Sequence, residues 1–169
     1  GAVLANQFYN QVNPEAHYRT TGPEIWEQTG GRVTHFIAGA GTGGTVSGAG
    51  KYLKEKNPKI RVIAGDPVGS LYSGWARTRT MGEGAPYKVE GIGGDKIPTT
   101  ILLEHIDEFR QLGDRESMAM ARRLAREEGM LVGGSAGLNV ALALQVAREV
   151  DDPEACVVTI LCDTGERYL

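Results

Sequence analysis

Val33-Thr34-His35-Phe36-Ile37-Ala38 runs directly into Gly39-Ala40-Gly41-Thr42-Gly43-Gly44-Thr45, and Gly44 to Lys56 continues with helical character. An apolar strand, a glycine turn and a helix, in that order, are the opening of a parallel α/β unit. The rhythm repeats downstream. Arg61-Val62-Ile63-Ala64-Gly65-Asp66 reads as a second buried strand. Asp114 reads as the N-cap of a helix reaching Glu128, with Met118, Ala121, Leu124 and Ala125 at helical spacing and Gly129 as its stop. Met130 to Val132 is a short apolar run into Gly133-Gly134-Ser135-Ala136-Gly137. Another helix carries Leu138, Ala141, Leu142, Gln145 and Val146, and a strand from Cys156 to Leu161 closes the pattern. Strands that are apolar on both faces need cover on both faces. The expected fold is therefore an α/β three-layer sandwich around a mostly parallel sheet, built as a single domain over residues 1–169.

Composition narrows the function classes. The 169 residues are 41% hydrophobic and 23% charged, ordinary values for a globular domain. No stretch approaches the roughly 18 apolar residues of a membrane span, so no membrane partner is expected. A net charge of −3 is too balanced for a protein that tracks nucleic-acid phosphates. Glycine is the outlier: 24 residues, about 14% of the chain against an average near 7%. Its clustering points to sites built from backbone. Cys156 and Cys162 lie at opposite ends of a strand-like run, roughly 20 Å apart if extended, which is too far for a disulfide. They read as small buried residues of a reducing compartment, and no spacing suggests a metal site. Pro67 to Asp95 has no period and reads as a functional loop at the end of the second strand, or as a solvated excursion.

Glycines in the 39–45 loop let backbone approach a ligand without Cβ clashes, and the first turn of the helix presents free N–H groups to an anion. Thr42 and Thr45 add hydroxyl donors. The absence of a lysine in the loop excludes an ATP P-loop. Two readings stay open at this level. Gly39-x-Gly41-x-x-Gly44 with Asp66 at the end of the next strand satisfies a dinucleotide fingerprint, which would make the chain an NAD-binding Rossmann domain. The denser donor set suits a single phosphate.

Gly41-Thr42-Gly43-Gly44-Thr45 before a helix of small residues resembles the phosphate cup of the fold-type II pyridoxal-phosphate enzymes, specifically the cystathionine β-synthase and cysteine synthase family. The likeness extends along nearly the whole chain. Asn6-Gln7-Phe8-Tyr9-Asn10 with Asn13-Pro14-Glu15-Ala16-His17-Tyr18 resembles the entry into the large domain. Glu90-Gly91-Ile92-Gly93 and Ile97-Pro98 resemble the active-site glycine loop, Gly133 to Gly137 the pyridine-nitrogen motif, and Asp163 to Leu169 the C-terminal signature. The resemblance implies a tryptophan synthase β-like fold and pyridoxal 5′-phosphate as cofactor. It implies that Gly41, Thr42, Gly43, Gly44 and Thr45 hold the phosphate and that Ser135 meets the pyridine nitrogen. Gln7 and Gly91 would face an amino-acid substrate. It further implies a cytoplasmic homodimer performing β-replacement on a serine-type amino acid. Gly94 occupies a position where cystathionine-forming members usually carry tyrosine and cysteine-forming ones a small residue. The runs 89–93 and 134–137 read closer to the cystathionine side, so the expected activity is cystathionine β-synthase-like, with cysteine synthase as the alternative.

The chemistry needs a lysine bonded to the cofactor. Lys51, Lys54, Lys56 and Lys59 sit in a solvated cluster, and neither Lys88 nor Lys96 has the family's context. Both ends of the chain read as cut, so the expectation is the C-terminal part of a longer enzyme. Its Schiff-base lysine would lie upstream, which leaves no catalytic residue in this segment. His17, His35 and His105 are scattered without nucleophile–base spacing, and His17 reads as structural. Alternative roles stay open for Ser135, as a helix N-cap, and for Gln7, as a polar strand end.

Overall fold

The computed structural model describes residues 1–168. Four parallel strands form the centre: β1 (Val33–Gly39), β2 (Arg61–Pro67), β3 (Glu108–Leu112) and β4 (Cys156–Thr159), in the spatial order β3-β2-β1-β4. The register sets Ile37 beside Ile63 and Phe36 beside Val158. Three helices cover one face, α1 (Val12–Arg19), α2 (Thr21–Gln28) and α3 (Gly44–Lys56). They bury Ile25, Val46, Ala49 and Leu53 against Phe36, Ala38, Val62 and Ala64. A short helix, α4 (Tyr72–Thr78), adds Tyr72 to the same core. The opposite face is covered by α5 (Asp114–Arg123) and α6 (Gly134–Val150), where Leu138, Leu142 and Val146 pack on Ile37 and Ile63. This is the expected three-layer α/β sandwich.

Tight helix contacts depend on small residues. A Cβ at Gly48 would overlap the carbonyl of Pro14, and one at Gly44 would overlap the side-chain amide of Asn13. These two glycines let α1 close onto the first turns of α3. On the other face, a Cβ at Gly137 would overlap the Ser117 carbonyl where α6 crosses α5. A longer side chain at any of the three would push a helix off its neighbour.

Several local expectations are corrected. Asp114 is the first residue of α5 and not its N-cap; that position is Gly113, with no side-chain cap. The Asp114 carboxylate instead accepts the backbone N–H groups of Lys88 and Val89, tying the long loop to the helix. Helix α5 ends at Arg123 and gives way to a π-turn, Leu124–Glu128, before Gly129 stops it with φ of 69°. Strand β4 stops at Thr159, two residues short of Leu161. Within the apolar run Met130 to Val132, Val132 makes one antiparallel bridge to Thr164. Pro67 to Asp95 contains α4 and is otherwise irregular. Cys162 is exposed rather than buried, because the chain leaves the sheet before reaching it; both cysteines are free. Leu169, the last residue of the C-terminal signature, lies outside the described residues.

Candidate functional site

In an open parallel sheet, ligands bind beyond the carboxyl ends of the strands where successive connections leave in opposite directions. Here β1 connects through α3 to β2 on one side, and its other neighbour is β4. A cleft of about 1130 Å³ opens at that point. It is lined by Gln7, by Gly41, Thr42, Gly43, Gly44 and Thr45, by Gly91 and by Ser135. Every site residue expected from the sequence therefore borders one cavity, although the segments are far apart along the chain.

The loop after β1 is shaped for an anion. Gly43 caps α3 in the left-handed region, φ 80°, where a side chain would also overlap Ile101. The amides of Gly41, Thr42, Gly43 and Thr45 make no hydrogen bond among the described residues. Gly44 N–H touches only the Thr42 hydroxyl, at 3.3 Å. Such free donors at a helix start carry partial positive charge toward the cleft. Thr100, fully buried, donates to the carbonyl of Thr42 at 2.6 Å and fixes the loop from behind.

Two more segments close over the loop. Gly91 and Gly93 adopt positive φ, 80° and 74°, and Gly93 N–H donates to the Ala40 carbonyl at 2.7 Å. The Gly91 carbonyl occupies the space a Cβ on Gly41 would need, so the close approach requires glycine at 41, while Gly91 supplies the positive φ. On the far wall, Ser135 is the second residue of α6, whose cap is Gly133. The N-cap alternative for Ser135 is therefore set aside. Gly133 N–H donates to Asp163 at 3.1 Å, and the Tyr168 hydroxyl donates to the other Asp163 oxygen at 2.7 Å. That bond pushes the Tyr168 hydroxyl up to about 12. Cys162 lines the same wall, and Asn139 Nδ2 donates to its sulfur at 3.4 Å.

The dinucleotide alternative fails at Asp66. Its side chain is fully buried and accepts both the backbone N–H and the hydroxyl of Ser73, at 2.9 and 2.6 Å. It is tied to Ser73 in α4 and does not line the cleft. The residues that sequence reasoning missed are Asn13, Tyr87, Cys162 and Asp163, all of which line the cavity, as does His17, which it read as structural. For Asn13 and His17 a signal existed: they are one helical turn apart on α1. Lys88 borders the cleft and is exposed.

A family model described as pyridoxal-phosphate dependent enzyme matches residues 1–163. The chain belongs to that family. Among curated relatives, cystathionine beta-synthase of Apis mellifera is 42% identical over 168 residues, covering 99% of this chain and 33% of that protein. Cysteine synthase of Staphylococcus aureus is 44% identical over 171 aligned positions, covering 100% of this chain and 53% of that protein. Among solved structures, an O-acetylserine dependent cystathionine beta-synthase from Helicobacter pylori superposes with a TM-score of 0.87 at 40% identity, over 96% of this chain and 51% of that one. The chain thus spans from a third to about half the length of these relatives. Among the described residues no helix is long and apolar enough to cross a membrane, and no cluster of side chains is gathered to hold a metal ion.

Proposed function

We propose that this chain forms the phosphate- and ring-binding part of an enzyme that replaces the β-substituent of a serine-type amino acid. Cystathionine β-synthase-like chemistry is the first reading. The observation that carries it is the single cleft shared by the Gly41–Thr45 loop and Ser135. The donor set fits the cofactor: unpaired amides and two threonine hydroxyls suit a phosphate dianion, and no lysine is needed. Pyridoxal phosphate, when bound, supplies an electron sink for the bonds around the substrate Cα. Ser135 would meet the ring nitrogen with a neutral hydroxyl. A hydroxyl does not hold that nitrogen protonated as a carboxylate would, and a moderated sink favours β-elimination and replacement over transamination. Gln7 and the Gly91 backbone would hold the substrate carboxylate at the outer side of the cleft. The proton-transferring lysine is expected from a segment outside this chain. A homodimeric, cytoplasmic enzyme completes the reading on the strength of the family likeness, and light scattering of the full protein checks the assembly.

One observation favours cysteine synthase as the second reading. A Cβ on Gly94 would lie 2.5 Å from the hydroxyl of the buried Tyr72, so a tyrosine at position 94 would have to displace the Tyr72 ring. Product analysis with homocysteine and with sulfide separates the two activities. The site itself is tested by Ser135→Ala and Ser135→Asp in the full-length protein. Ser135→Ala should keep the visible absorption of lysine-bound cofactor and lose turnover, and Ser135→Asp should change that absorption as the ring nitrogen becomes protonated. Wild-type turnover in Ser135→Ala, with only a lower melting temperature, would refute the role.

A further inference from the structure

Helix α1 stands directly behind the glycine loop and aims two side chains at its two hydroxyls. Asn13 Nδ2 donates to Thr42 Oγ1 at 2.9 Å and to the Gln7 carbonyl at 2.8 Å. A carbonyl only accepts, so the Gln7 contact fixes which end of the Asn13 amide is nitrogen. Thr42 Oγ1 also receives the Gly44 N–H at 3.3 Å. With two donors already directed at the oxygen, the Thr42 proton has no acceptor behind the loop and must point into the cleft. His17 stands one turn further along α1, with Nε2 3.1 Å from Thr45 Oγ1 and Nδ1 2.9 Å from Thr21 Oγ1. The Thr21 hydroxyl has no other partner among the described residues and is free to donate to Nδ1.

We infer that Asn13 and His17 are positioning residues that turn the Thr42 and Thr45 hydroxyl protons toward the cleft, making the loop a donor-only surface for a phosphate ester. The inference rests on the phosphate reading above and deepens it. His17 is half-buried, and burial lowers its affinity for a proton, so at neutral pH the ring carries a single N–H. That hydrogen sits on Nε2 when the surface is donor-only. With the other tautomer, Nε2 would accept the Thr45 proton and an oxygen lone pair would face the phosphate. The arrangement depends on Gly44 and Gly48, since a Cβ at either would overlap α1 at Asn13 or Pro14.

The experiment measures dissociation constants of pyridoxal phosphate and of unphosphorylated pyridoxal for the full-length apoprotein. The variants are His17→Ala, His17→Gln, Thr45→Ala and the His17→Ala/Thr45→Ala pair. His17→Ala is expected to weaken pyridoxal phosphate roughly tenfold and leave pyridoxal unchanged, the scale of one hydrogen bond to a charged group. His17→Gln, which keeps a donor near the Nε2 position, should restore most of the loss. In the Thr45→Ala background His17→Ala should cost nothing further, because the imidazole acts through that hydroxyl. Equal weakening of both ligands, additive losses, or no loss at all would overturn the inference. Nitrogen NMR of His17 in the loaded wild-type protein gives an independent answer: a proton on Nε2 supports it, and one on Nδ1 overturns it. A wild-type protein that binds pyridoxal as tightly as its phosphate ester would instead overturn the phosphate cup itself, and the inference with it.

Discussion

Replacing Gly48 by alanine tests how helix packing holds the cleft together. Alanine in a helix interior is normally favourable over glycine by up to about 1 kcal/mol. At Gly48 the added Cβ would lie 2.8 Å from the Pro14 carbonyl carbon and 3.0 Å from His17 Cβ, with the Pro14 oxygen closer still. Relieving the carbon contact to an ordinary 3.4 Å requires α1 to withdraw by at least 3.4 − 2.8, or 0.6 Å. Along the same direction the His17 Nε2–Thr45 Oγ1 bond of 3.1 Å would lengthen to about 3.7 Å, beyond hydrogen-bond reach. Overpacking of this kind costs about 1–3 kcal/mol, which exceeds the propensity gain. Gly48→Ala is therefore expected to lose about 1–2 kcal/mol and to weaken phosphate-dependent cofactor binding. Gly74, inside α4 with nothing within 4 Å of its Cβ position, is the control; Gly74→Ala should be neutral or slightly stabilising. Urea denaturation and cofactor titration of both variants in the full-length protein give the comparison. Gly48→Ala with wild-type stability and cofactor affinity would refute the packing argument.

Burial holds the Asp66 carboxyl above its ordinary value of 3.8, against hydrogen bonds from Ser70, Ser73 and Gln111 that pull it down. The folded state then keeps this proton to higher pH than the unfolded chain, so its contribution to stability falls as pH rises from about 4 through the raised value. Asp66→Asn should remove that slope, seen as the difference between the two denaturation-versus-pH curves; an unchanged slope would contradict the burial argument. Asp107 accepts the Val62 N–H at 2.7 Å and pairs with Lys54 at 2.8 Å, both side chains mostly covered. Asp107→Ala should cost about 2 kcal/mol by leaving the Val62 N–H unpaired and removing the counter-charge of Lys54, which keeps its bond to the Ile60 carbonyl, and chemical denaturation would show it.

The strand–turn–helix at 33–56 was legible because its signals are local: an apolar run, glycines and a helix with no breaker. The bounds of α3, Gly44–Lys56, came out as read. Strand β3 was not legible. Glu108-Phe109-Arg110-Gln111-Leu112 lies at the sheet edge, where charged side chains pair with each other and with Glu149 instead of being buried. Asp114 misled because a carboxylate at a helix start usually caps, and only the tertiary structure brings Lys88 and Val89 within its reach. The cleft residues carried by motifs were found, and the structure gathers them at one place. Cys162 was invisible as a site residue, and Asp163 entered only as part of the C-terminal signature, since nothing local signals that the chain leaves β4 and turns back toward Ser135. Asn13 and His17 were not read as a pair, because no helix was expected over 12–19 and their partners lie on another element.

The cleft at the end of β1 is proposed to hold pyridoxal phosphate by its phosphate. A crystal structure of the full-length protein with the cofactor tests it most directly. Phosphate oxygens are expected within hydrogen-bond distance of the Gly41–Thr45 amides and both threonine hydroxyls, with the ring nitrogen beside Ser135 Oγ. A phosphate bound elsewhere, or a ring nitrogen facing away from Ser135, would contradict it.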